Sequence, residues 1–430
     1  MIFTKNTICI FKNYITFLLL PLLLFQFNFV YSATVEELKD QIQKVTETKA
    51  QLEKEIAAYE LQLKDLSVQS TSLSNTIKSL NATINKNALD IKLTQNKINA
   101  AQLQIEELSI NIGKNTDIID QNTLAIAQLL SQIDKYDNST FIENLFTYDN
   151  LSEFWNEEQN IYLVQNQIRE KTKEIKNTKV ILENNKTQTE KKKKDLLKLK
   201  SSLTDQKKVL VITKSEKDKL LAETKNSEAN YKKILSDKKT LADAFNKELE
   251  QFQSELNLTV NLSSYPAPNH GILNWPLSTI KVTQPFGMTD FAKTTTAYNG
   301  NGHNGVDFAA SIGTPTFATS NGIIVGIGDT DIVCPGASFG KWVFVQYPNG
   351  LSTIYAHLSL IKVSKGDYVS TGDIIGYTGS TGFSTGPHLH FGLYVTQGSQ
   401  IMSYKSKVCK GTYTMPVADL RAYLDPLQYL

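Results

Sequence analysis

The chain has 430 residues and a formal net charge of +2, and its composition is divided sharply along its length. This length predicts two or three domains, and a charge near zero gives no reason to expect nucleic acid as a partner. Ten of the eleven prolines follow Tyr265, and Gly113 is the only glycine between residues 33 and 270. Because helix interiors tolerate neither residue, the composition predicts a long helical region followed by a compact β-rich domain.

The first residues of the chain, 1–32, have the layout of a secretory signal peptide. Lys5 and Lys12 precede an apolar run over about residues 14–30, and the small residue Ser32 follows as a cleavage position. An uncleaved membrane anchor is the alternative, since the run approaches the roughly 17 residues that can span a bilayer. In both cases we expect the rest of the chain to be exported, to the periplasm or the cell exterior.

Beyond this segment the chain has two cysteines, Cys334 and Cys409. In an exported protein an even pair favours a disulfide, and two free thiols are the alternative. We do not expect these cysteines to bind metal, because neither belongs to a closely spaced cysteine pair.

The region 33–256 shows the seven-residue repeat of a coiled coil. One apolar stripe keeps its register through nine isoleucines, which are Ile77, Ile84, Ile91, Ile98, Ile105, Ile112, Ile119, Ile126 and Ile133. A second stripe is offset from it by three and four residues, as expected for the a and d positions. Asn87, Asn115 and Asn122 interrupt the second stripe. Polar residues at such positions lower stability and fix the register of the helices.

The repeat predicts two helical arms, residues 36–134 and 157–255, joined by an aromatic-rich tip at residues 135–156. Each arm of about 100 residues would be on the order of 150 Å long if it were one helix. Arms of equal length joined by a short segment indicate an antiparallel hairpin, and a parallel dimer is the alternative. We interpret the tip as a cap that closes the hairpin, with a docking surface for a partner as the alternative.

A linker at residues 257–270 leads into a predicted domain at residues 271–430. Short β-prone runs alternate there with glycine-containing turns, and this spacing predicts a compact, mainly antiparallel β domain. The runs are Ile323–Val325, Trp342–Tyr347, Ser352–Tyr355, Ile374–Tyr377 and Leu389–Val395. The fold class is therefore a multidomain α+β chain, with the coiled coil first and the β domain second.

Four of the five histidines fall in the β domain, in three short motifs. His388 and His390 occupy one predicted strand, so their side chains point to the same face. The other motifs are His303-Asn-Gly-Val-Asp307 and a segment around His357. A catalytic zinc takes three protein ligands, so His303, Asp307 and one histidine of the pair predict a site for one Zn²⁺. The two remaining histidines would then transfer protons beside the metal.

These motifs, with Gln284-Pro-Phe-Gly287 and Gly313-Thr-Pro315, resemble the lysostaphin-type (LytM-like) zinc endopeptidase domain over about residues 275–395. The resemblance implies an enzyme that hydrolyses peptide bonds in the stem peptides or cross-links of peptidoglycan. It therefore implies peptidoglycan as the partner of the β domain.

The resemblance also distributes the roles of the site residues, which the spacing alone leaves open. It implies that His303, Asp307 and His390 bind the zinc ion and that His357 and His388 are the catalytic histidines. It further implies a tyrosine near the scissile carbonyl, for which Tyr298 is the candidate. The sequence departs from the family pattern in an insertion at residues 331–338 and at Gly392, where many relatives carry glutamate. We expect neither departure to touch a ligand or catalytic position.

The helical region resembles the N-terminal region of cell-division peptidoglycan hydrolases and of their activators. In those proteins the coiled coil is regulatory and is engaged by a membrane complex that resembles an ABC transporter. The resemblance implies a role in cell-wall remodelling or cell division. A separate hypothesis is autoinhibition, in which the arms cover the zinc groove until a partner moves them, because the linker is long enough to allow docking. The alternative is a non-catalytic coiled-coil activator or scaffold for other cell-wall hydrolases.

Overall fold

The computed structural model describes residues 34–67, 72–137, 151–255, 258, 260, 265–289, 292–293 and 302–430. The predicted signal peptide, most of the predicted tip and Tyr298 lie outside the described residues. None of the described helices is both long and apolar enough to span a bilayer.

Within the described residues, four helices precede the β domain, in agreement with the predicted fold class. They are α1 (Val35–Ser67), α2 (Leu73–Asp137), α3 (Leu151–Thr224) and α4 (Glu228–Ser254). Helix α2 packs antiparallel on α3, and the Asn87 side-chain amide of α2 donates to the Thr213 hydroxyl of α3 at 3.5 Å. The amide of Leu73, at the start of α2, donates to the carboxylate of Glu228 in α4 at 2.9 Å. The nine isoleucines of the first stripe are all buried or half-buried, which confirms a helical hairpin with an apolar seam.

Each predicted arm is two helices rather than one. The first arm is divided into α1, which ends at Ser67, and α2, which begins at Leu73. Helix α1 then lies back along α2, so that Glu60 approaches the Lys86 ammonium at 3.4 Å. The second arm breaks at Lys225 and Asn226, which have positive φ angles of 47° and 55°. The longest helix, α3, has 74 residues and therefore spans about 110 Å.

The part of the β domain that the structure describes contains twelve strands. Their bounds are β1 (Val282–Gln284), β2 (Val306–Ala309), β3 (Pro315–Phe317), β4 (Gly322–Asp329), β5 (Lys341–Gln346), β6 (Leu351–Ile361), β7 (Tyr368–Val369), β8 (Ile374–Thr378), β9 (His388–Val395), β10 (Ser399–Ser406), β11 (Gly411–Ala418) and β12 (Tyr423–Leu424). Ten strands form one antiparallel sheet in the order β1-β2-β9-β6-β5-β4-β7, with β12 on β9, β8 on β6 and β3 on β8. Strands β10 and β11 form a separate hairpin. The predicted antiparallel β architecture is confirmed, and the five predicted runs lie in β4, β5, β6, β8 and β9.

Helix α4 is part of the hydrophobic core of the β domain. Phe245 is fully buried and stacks against Tyr413 of β11 with ring centroids 5.0 Å apart. Leu249 lies in the same cluster, together with Trp342 and Met415. Because these apolar side chains complete the core on one face of the sheet, α4 belongs to the folding unit of the β domain.

A second junction joins α2 and α3 to the sheet. Leu80 and Val209 pack with Ile312 and Tyr377 in a small buried cluster. Beside this cluster, the Lys362 ammonium lies 2.8 Å from the Asp205 carboxylate of α3. The helical hairpin is therefore attached to the β domain at two places, through this cluster and through α4.

Candidate metal centre

Strand pairing brings together the first group of predicted site residues. In the β2–β9 pair, Asp307 lies directly opposite His390. His303 precedes β2 and forms an isolated backbone bridge with Gly287 of the Gln284–Gly287 motif. Side chains of cross-strand partners are neighbours on one face of a sheet. The strand register therefore brings these residues together, although they lie far apart in the sequence.

Three side-chain atoms converge within 4.8 Å of one another: His303 Nε2, Asp307 Oδ1 and His390 Nδ1. The Asp307 oxygen lies 3.3 Å from His303 Nε2 and 2.9 Å from His390 Nδ1, and the two nitrogens are 3.1 Å apart. Ligands at about 2.0–2.1 Å from a tetrahedral zinc ion lie about 3.3 Å from one another. The donor set and its spacing therefore fit zinc.

Hydrogen bonds fix which nitrogen of His303 faces the centre. Its Nδ1 lies 3.0 Å from the Pro285 carbonyl, which can only accept, so Nδ1 carries the proton and Nε2 presents a lone pair. A backbone carbonyl on the outer nitrogen is the usual support of a metal-binding imidazole. Gly305 allows the other imidazole to pack closely, since a Cβ there would lie 2.7 Å from His390 Cε1.

The carboxylate of Asp307 is half-buried but stays ionised. Burial by itself raises its pKa, but interactions with the neighbouring imidazoles of His388, His303 and His390 hold that pKa well below 3.8. Burial lowers the pKa of His390, although its bond to Asp307 opposes the change. An anionic carboxylate with neutral imidazoles is the protonation state that a metal site requires.

The two remaining histidines of the cluster stand side by side next to these donors. The rings of His357 and His388 have centroids 4.6 Å apart, and His388 Nε2 lies 3.7 Å from Asp307 Oδ1. His357 Nδ1 donates to the Thr381 carbonyl at 2.8 Å, and His388 Nδ1 donates to the Gly386 carbonyl at 2.8 Å. Each ring therefore keeps Nε2 as the nitrogen available for a reacting group.

Residues 301–402 match the model described as "Peptidase family M23". The β domain belongs to peptidase family M23. The predicted family, a metallopeptidase domain with one zinc site, is confirmed. The individual roles of the ligands and of His357 and His388 stay predictions.

Relatives of the M23 domain resemble this chain over a limited segment. A protein named "DD-carboxypeptidase/endopeptidase Mpg" from Neisseria meningitidis serogroup B is 37% identical over 116 residues, which cover 27% of this chain and 25% of that protein. "Peptidoglycan DD-endopeptidase ShyA" from Vibrio cholerae is 41% identical over 106 residues, which cover 25% of this chain and 23% of that protein. The catalytic domain of lysostaphin from Staphylococcus simulans is 32% identical over 34% of this chain and 90% of that structure, with a TM-score of 0.25. The chain thus spans about a quarter of the length of these two curated relatives.

The M23 domain holds His357 in an uncommon backbone conformation. This residue has a φ of +59° within β6, where side-chain-bearing residues rarely adopt positive φ. Its amide donates to the Phe339 carbonyl at 2.9 Å. Burial and the nearby His388 and His390 lower the pKa of His357 well below 6.5, so the imidazole is neutral at neutral pH. Backbone strain of this kind persists only where the surroundings impose it and is frequent at functional sites.

The five site residues line one groove with a volume of 1360 Å³. The M23 domain forms one side of this groove. The other side includes Leu61 of α1, Lys86 of α2 and Gln253 of α4. Helices from both ends of the helical region therefore border the metal centre, and the sequence patterns did not indicate which helices these would be.

Sequence reasoning also missed the backbone carbonyls that orient the imidazoles. Pro285 lies in a motif that had been noted, so its proximity to the site was available as a signal. Thr381 likewise lies in a motif, Gly379-Ser-Thr-Gly382, that contributes to the family resemblance. His270, which we did not assign to the site, bonds to the Leu430 carbonyl at 2.9 Å instead.

Proposed function

We propose that this chain is an exported zinc endopeptidase that hydrolyses peptide bonds in the stem peptides or cross-links of peptidoglycan. The observation that carries the proposal is the arrangement of five side chains in one groove of an M23 domain. Three of them converge as metal donors, and two present an unblocked imidazole nitrogen next to the donors. Peptidoglycan is the substrate class because it is named for the relative from Vibrio cholerae.

His303, Asp307 and His390 would hold the zinc ion. When bound, zinc acts as a Lewis acid toward the scissile carbonyl and lowers the pKa of a water molecule. The one negative charge of Asp307 leaves the site with net positive charge, which suits the oxyanion that develops during attack on a peptide bond.

His357 and His388 would handle protons and charge in the reaction. In its neutral form, His357 accepts a hydrogen bond at Nε2 and so can orient the attacking water or take its proton. His388 stands beside it with the same tautomer, and a protonated Nε2 there can donate to the oxyanion or to the leaving amine. The Thr381 and Gly386 carbonyls keep both imidazole rings in the orientation that proton transfer requires.

The decisive experiment compares substitutions within the histidine pair. We expect His390→Ala to lose both zinc and cleavage of isolated peptidoglycan, and His388→Ala to keep zinc but lose cleavage. His270→Ala is a matched control, because this imidazole bonds to the Leu430 carbonyl and does not belong to the metal centre. Retained cleavage in either of the first two variants would contradict the proposal. Wild-type protein that lacks both zinc and cleavage would favour the non-catalytic activator.

The helical region would regulate access to the groove. Leu61 of α1 lines the groove, but no α1 residue belongs to the two core clusters of the M23 domain, so α1 can be removed without opening that core. Helix α4 is not removable, because Phe245 is buried in the core of the M23 domain. A chain that starts at residue 72 therefore tests regulation with the core intact. We expect it to cleave faster than the full chain, and equal rates would argue against control by α1.

Export and an external regulator complete the proposal. The charged and apolar order of residues 1–32 supports a signal peptide, and the Cys334–Cys409 disulfide is typical of an oxidising compartment. We propose periplasmic or extracellular action in cell-wall remodelling or division, with an ABC-transporter-like membrane complex acting on the arms. Mass analysis of the mature N-terminus tests the signal peptide. Crosslinking in cells from positions on α2 tests the membrane partner.

A further inference from the structure

The insertion between β4 and β5 forms a closed loop at the edge of the metal centre. Its base is tied by Thr330, whose hydroxyl donates to the Ala337 carbonyl at 2.9 Å and accepts from the Gly340 amide at 2.8 Å. Thr330 is 1% exposed, and Ala337 is fully buried. The inserted residues are therefore an ordered part of the domain.

The outer end of this loop is fastened covalently. Cys334 forms a disulfide with Cys409 in the turn between β10 and β11, as the cysteine count predicted. That turn is held in place by Glu248 of α4, whose carboxylate accepts from the Ser406 hydroxyl at 2.7 Å and from the Lys407 amide at 2.6 Å. The loop is thus fixed at its base and at its far end.

The carboxylate of Asp331 links the loop to the segment before His388. One oxygen accepts from the Gly336 amide at 2.7 Å, within the loop, and the other accepts from the Gly382 amide at 2.8 Å. A second bond runs from the Phe383 amide to the Ser338 carbonyl at 2.8 Å. The insertion is therefore connected to His357, a predicted catalytic residue, through one intervening residue.

The two segments meet backbone against backbone. Gly340 and Gly382 have positive φ angles of 59° and 70°. A Cβ on Gly340 would collide with the backbone of Thr381 and Gly382, and a Cβ on Gly382 would collide with Gly340 and Ser338. Only glycine permits this approach, so the position of one segment determines the position of the other.

The residue between these contacts and the metal centre is Thr381. Its carbonyl accepts from His357 Nδ1 at 2.8 Å, and its hydroxyl donates to the Leu358 carbonyl at 2.9 Å. The peptide unit that carries this carbonyl also carries the Gly382 amide. Since a peptide unit is planar and rigid, an acceptor that fixes the amide also fixes the direction of the carbonyl.

We propose that Asp331 is a positioning residue for His357. Its carboxylate holds the Thr381–Gly382 peptide unit, and the carbonyl of that unit holds the imidazole in place. A carboxylate suits this role because it accepts from two amides at once, whereas an asparagine offers one acceptor oxygen and directs its amino group at a donor. The activity readout of this proposal rests on the proposed endopeptidase function.

The kinetic test is Asp331→Asn in the full chain, with purified soluble cross-linked peptidoglycan fragments as substrate. We expect kcat to fall about ten- to a hundred-fold, because misplacing a proton-transfer group by about 1 Å has effects of this order. KM and zinc content should not change, since Asp331 touches neither substrate groove nor metal donors. Asp373→Asn is the matched control, because Asp373 accepts from the Ser370 amide at 2.8 Å in an exposed turn. An unchanged kcat, or an equal fall in the control, would overturn the proposal.

A second measurement does not depend on activity. Nitrogen-15 NMR of histidine-labelled full chain reports each of the five imidazoles. The His357 Nδ1 proton, which donates to Thr381, should exchange slowly with water in wild type and in Asp373→Asn, and rapidly in Asp331→Asn. Slow exchange that persists in Asp331→Asn would overturn the positioning role. Wild-type protein without cleavage but with this exchange pattern would refute the endopeptidase function alone.

Discussion

The helical region and the M23 domain bury their residues in different ways. In the M23 domain, large side chains such as Trp342, Tyr355 and Phe391 are fully buried in two clusters. Along α2 and α3, each turn places only one or two side chains in the seam, and several of these are polar, among them Thr83, Asn87 and Thr213. The free energy of burial is therefore concentrated in the domain and spread thinly along the helices.

Because of this difference, substitutions should affect the stability of the two regions in different ways. A compact sheet core relies on a few large side chains, whose loss leaves a cavity that neighbours cannot fill. A long helix pair has many equivalent contacts, so a truncation affects the turns around it and leaves distant turns intact. The metal centre, which needs sub-ångström placement of its groups, accordingly lies in the region with the dense core.

The largest expected effect is at the centre of the dense region. Trp342 is fully buried, and its ring packs so closely on Gly328 that a Cβ there would meet the ring at 2.7 Å. We expect Trp342→Ala to lower the free energy of unfolding of the M23 domain by about 3–5 kcal/mol. Guanidinium denaturation followed by the fluorescence of Trp275 measures this change. Leu197→Ala, at a helical side chain that is 69% exposed, should change stability by less than about 0.5 kcal/mol.

The seven-residue repeat predicted the helices but not their number. Leu63 and Ile77 are separated by two whole repeats, although the chain reverses between α1 and α2. A periodic apolar pattern records which face is buried and carries no information on the direction of the chain. The interruption at residues 67–72 was visible only as a cluster of hydroxyl side chains, which helices also tolerate.

The sequence predicted the donor residues of the metal centre, but it did not predict the backbone carbonyls that hold the imidazoles in place. The two histidines of His-x-His on a strand share one face of the sheet. The histidine and aspartate of His-x-x-x-Asp are only four residues apart in the sequence. The motifs that contain Pro285 and Thr381 were visible, but the role of their carbonyls was not, because every residue has a carbonyl and only the fold selects which one accepts. The same holds for the insertion, since Asp331 acts through a backbone amide of Gly382.

The second prediction contrasts two buried residues on the same helix. Ile98 is 3% exposed within the helical seam, whereas Leu80 is 8% exposed and also packs with Ile312 and Tyr377. Truncation of either to alanine should cost about 2–4 kcal/mol. We expect Ile98→Ala to lower only the midpoint of the unfolding transition of the helical region, measured by far-UV circular dichroism. Leu80→Ala should lower the transition of the M23 domain as well.

These two variants also measure how separate the regions are. Equal shifts of both transitions in both variants would mean that the chain unfolds as one cooperative unit. That outcome would contradict the view that the helical seam is locally stabilised.

The third prediction concerns the ion pair at the junction of the regions. Asp205 of α3 is 8% exposed, lies 2.8 Å from Lys362 and accepts from the Tyr377 hydroxyl at 3.3 Å. Removing a buried acceptor leaves its donors poorly satisfied, so Asp205→Ala should lower stability by about 1–3 kcal/mol. We expect this loss of stability to weaken the junction between the helical region and the M23 domain. Limited proteolysis should then release the M23 domain together with α4 faster than in wild type.

A double-mutant cycle sharpens this third prediction. Lys362→Ala alone should cost less than Asp205→Ala, because the lysine side chain is more exposed than that of its partner, at 25% against 11%. The two losses should not add, since both remove the same contact. Additive losses would show that Asp205 stabilises the junction through Tyr377 and not through the ion pair.

The smallest expected effect is a pH dependence in the M23 domain, near the end of the chain. The Asp419 carboxylate accepts from the Arg421 amide at 3.0 Å and from its guanidinium at 2.7 and 2.8 Å, and these bonds lower the pKa of Asp419 to about 2. A carboxyl with a lowered pKa stabilises the fold at pH values above its unfolded pKa and loses that effect as pH falls through its folded pKa. Asp419→Asn should therefore be less stable than wild type at neutral pH. The difference should shrink between about pH 4 and pH 2 in urea denaturation at a series of pH values.

Asp40→Asn on the exposed face of α1 is the helical counterpart, with its ion pair to Lys44 at 2.7 Å, and should change stability little at any pH because water already solvates both charges. A pH-independent difference for Asp419→Asn would mean that the side chain acts through shape and not through charge, and the contrast between the two regions would then rest on packing alone.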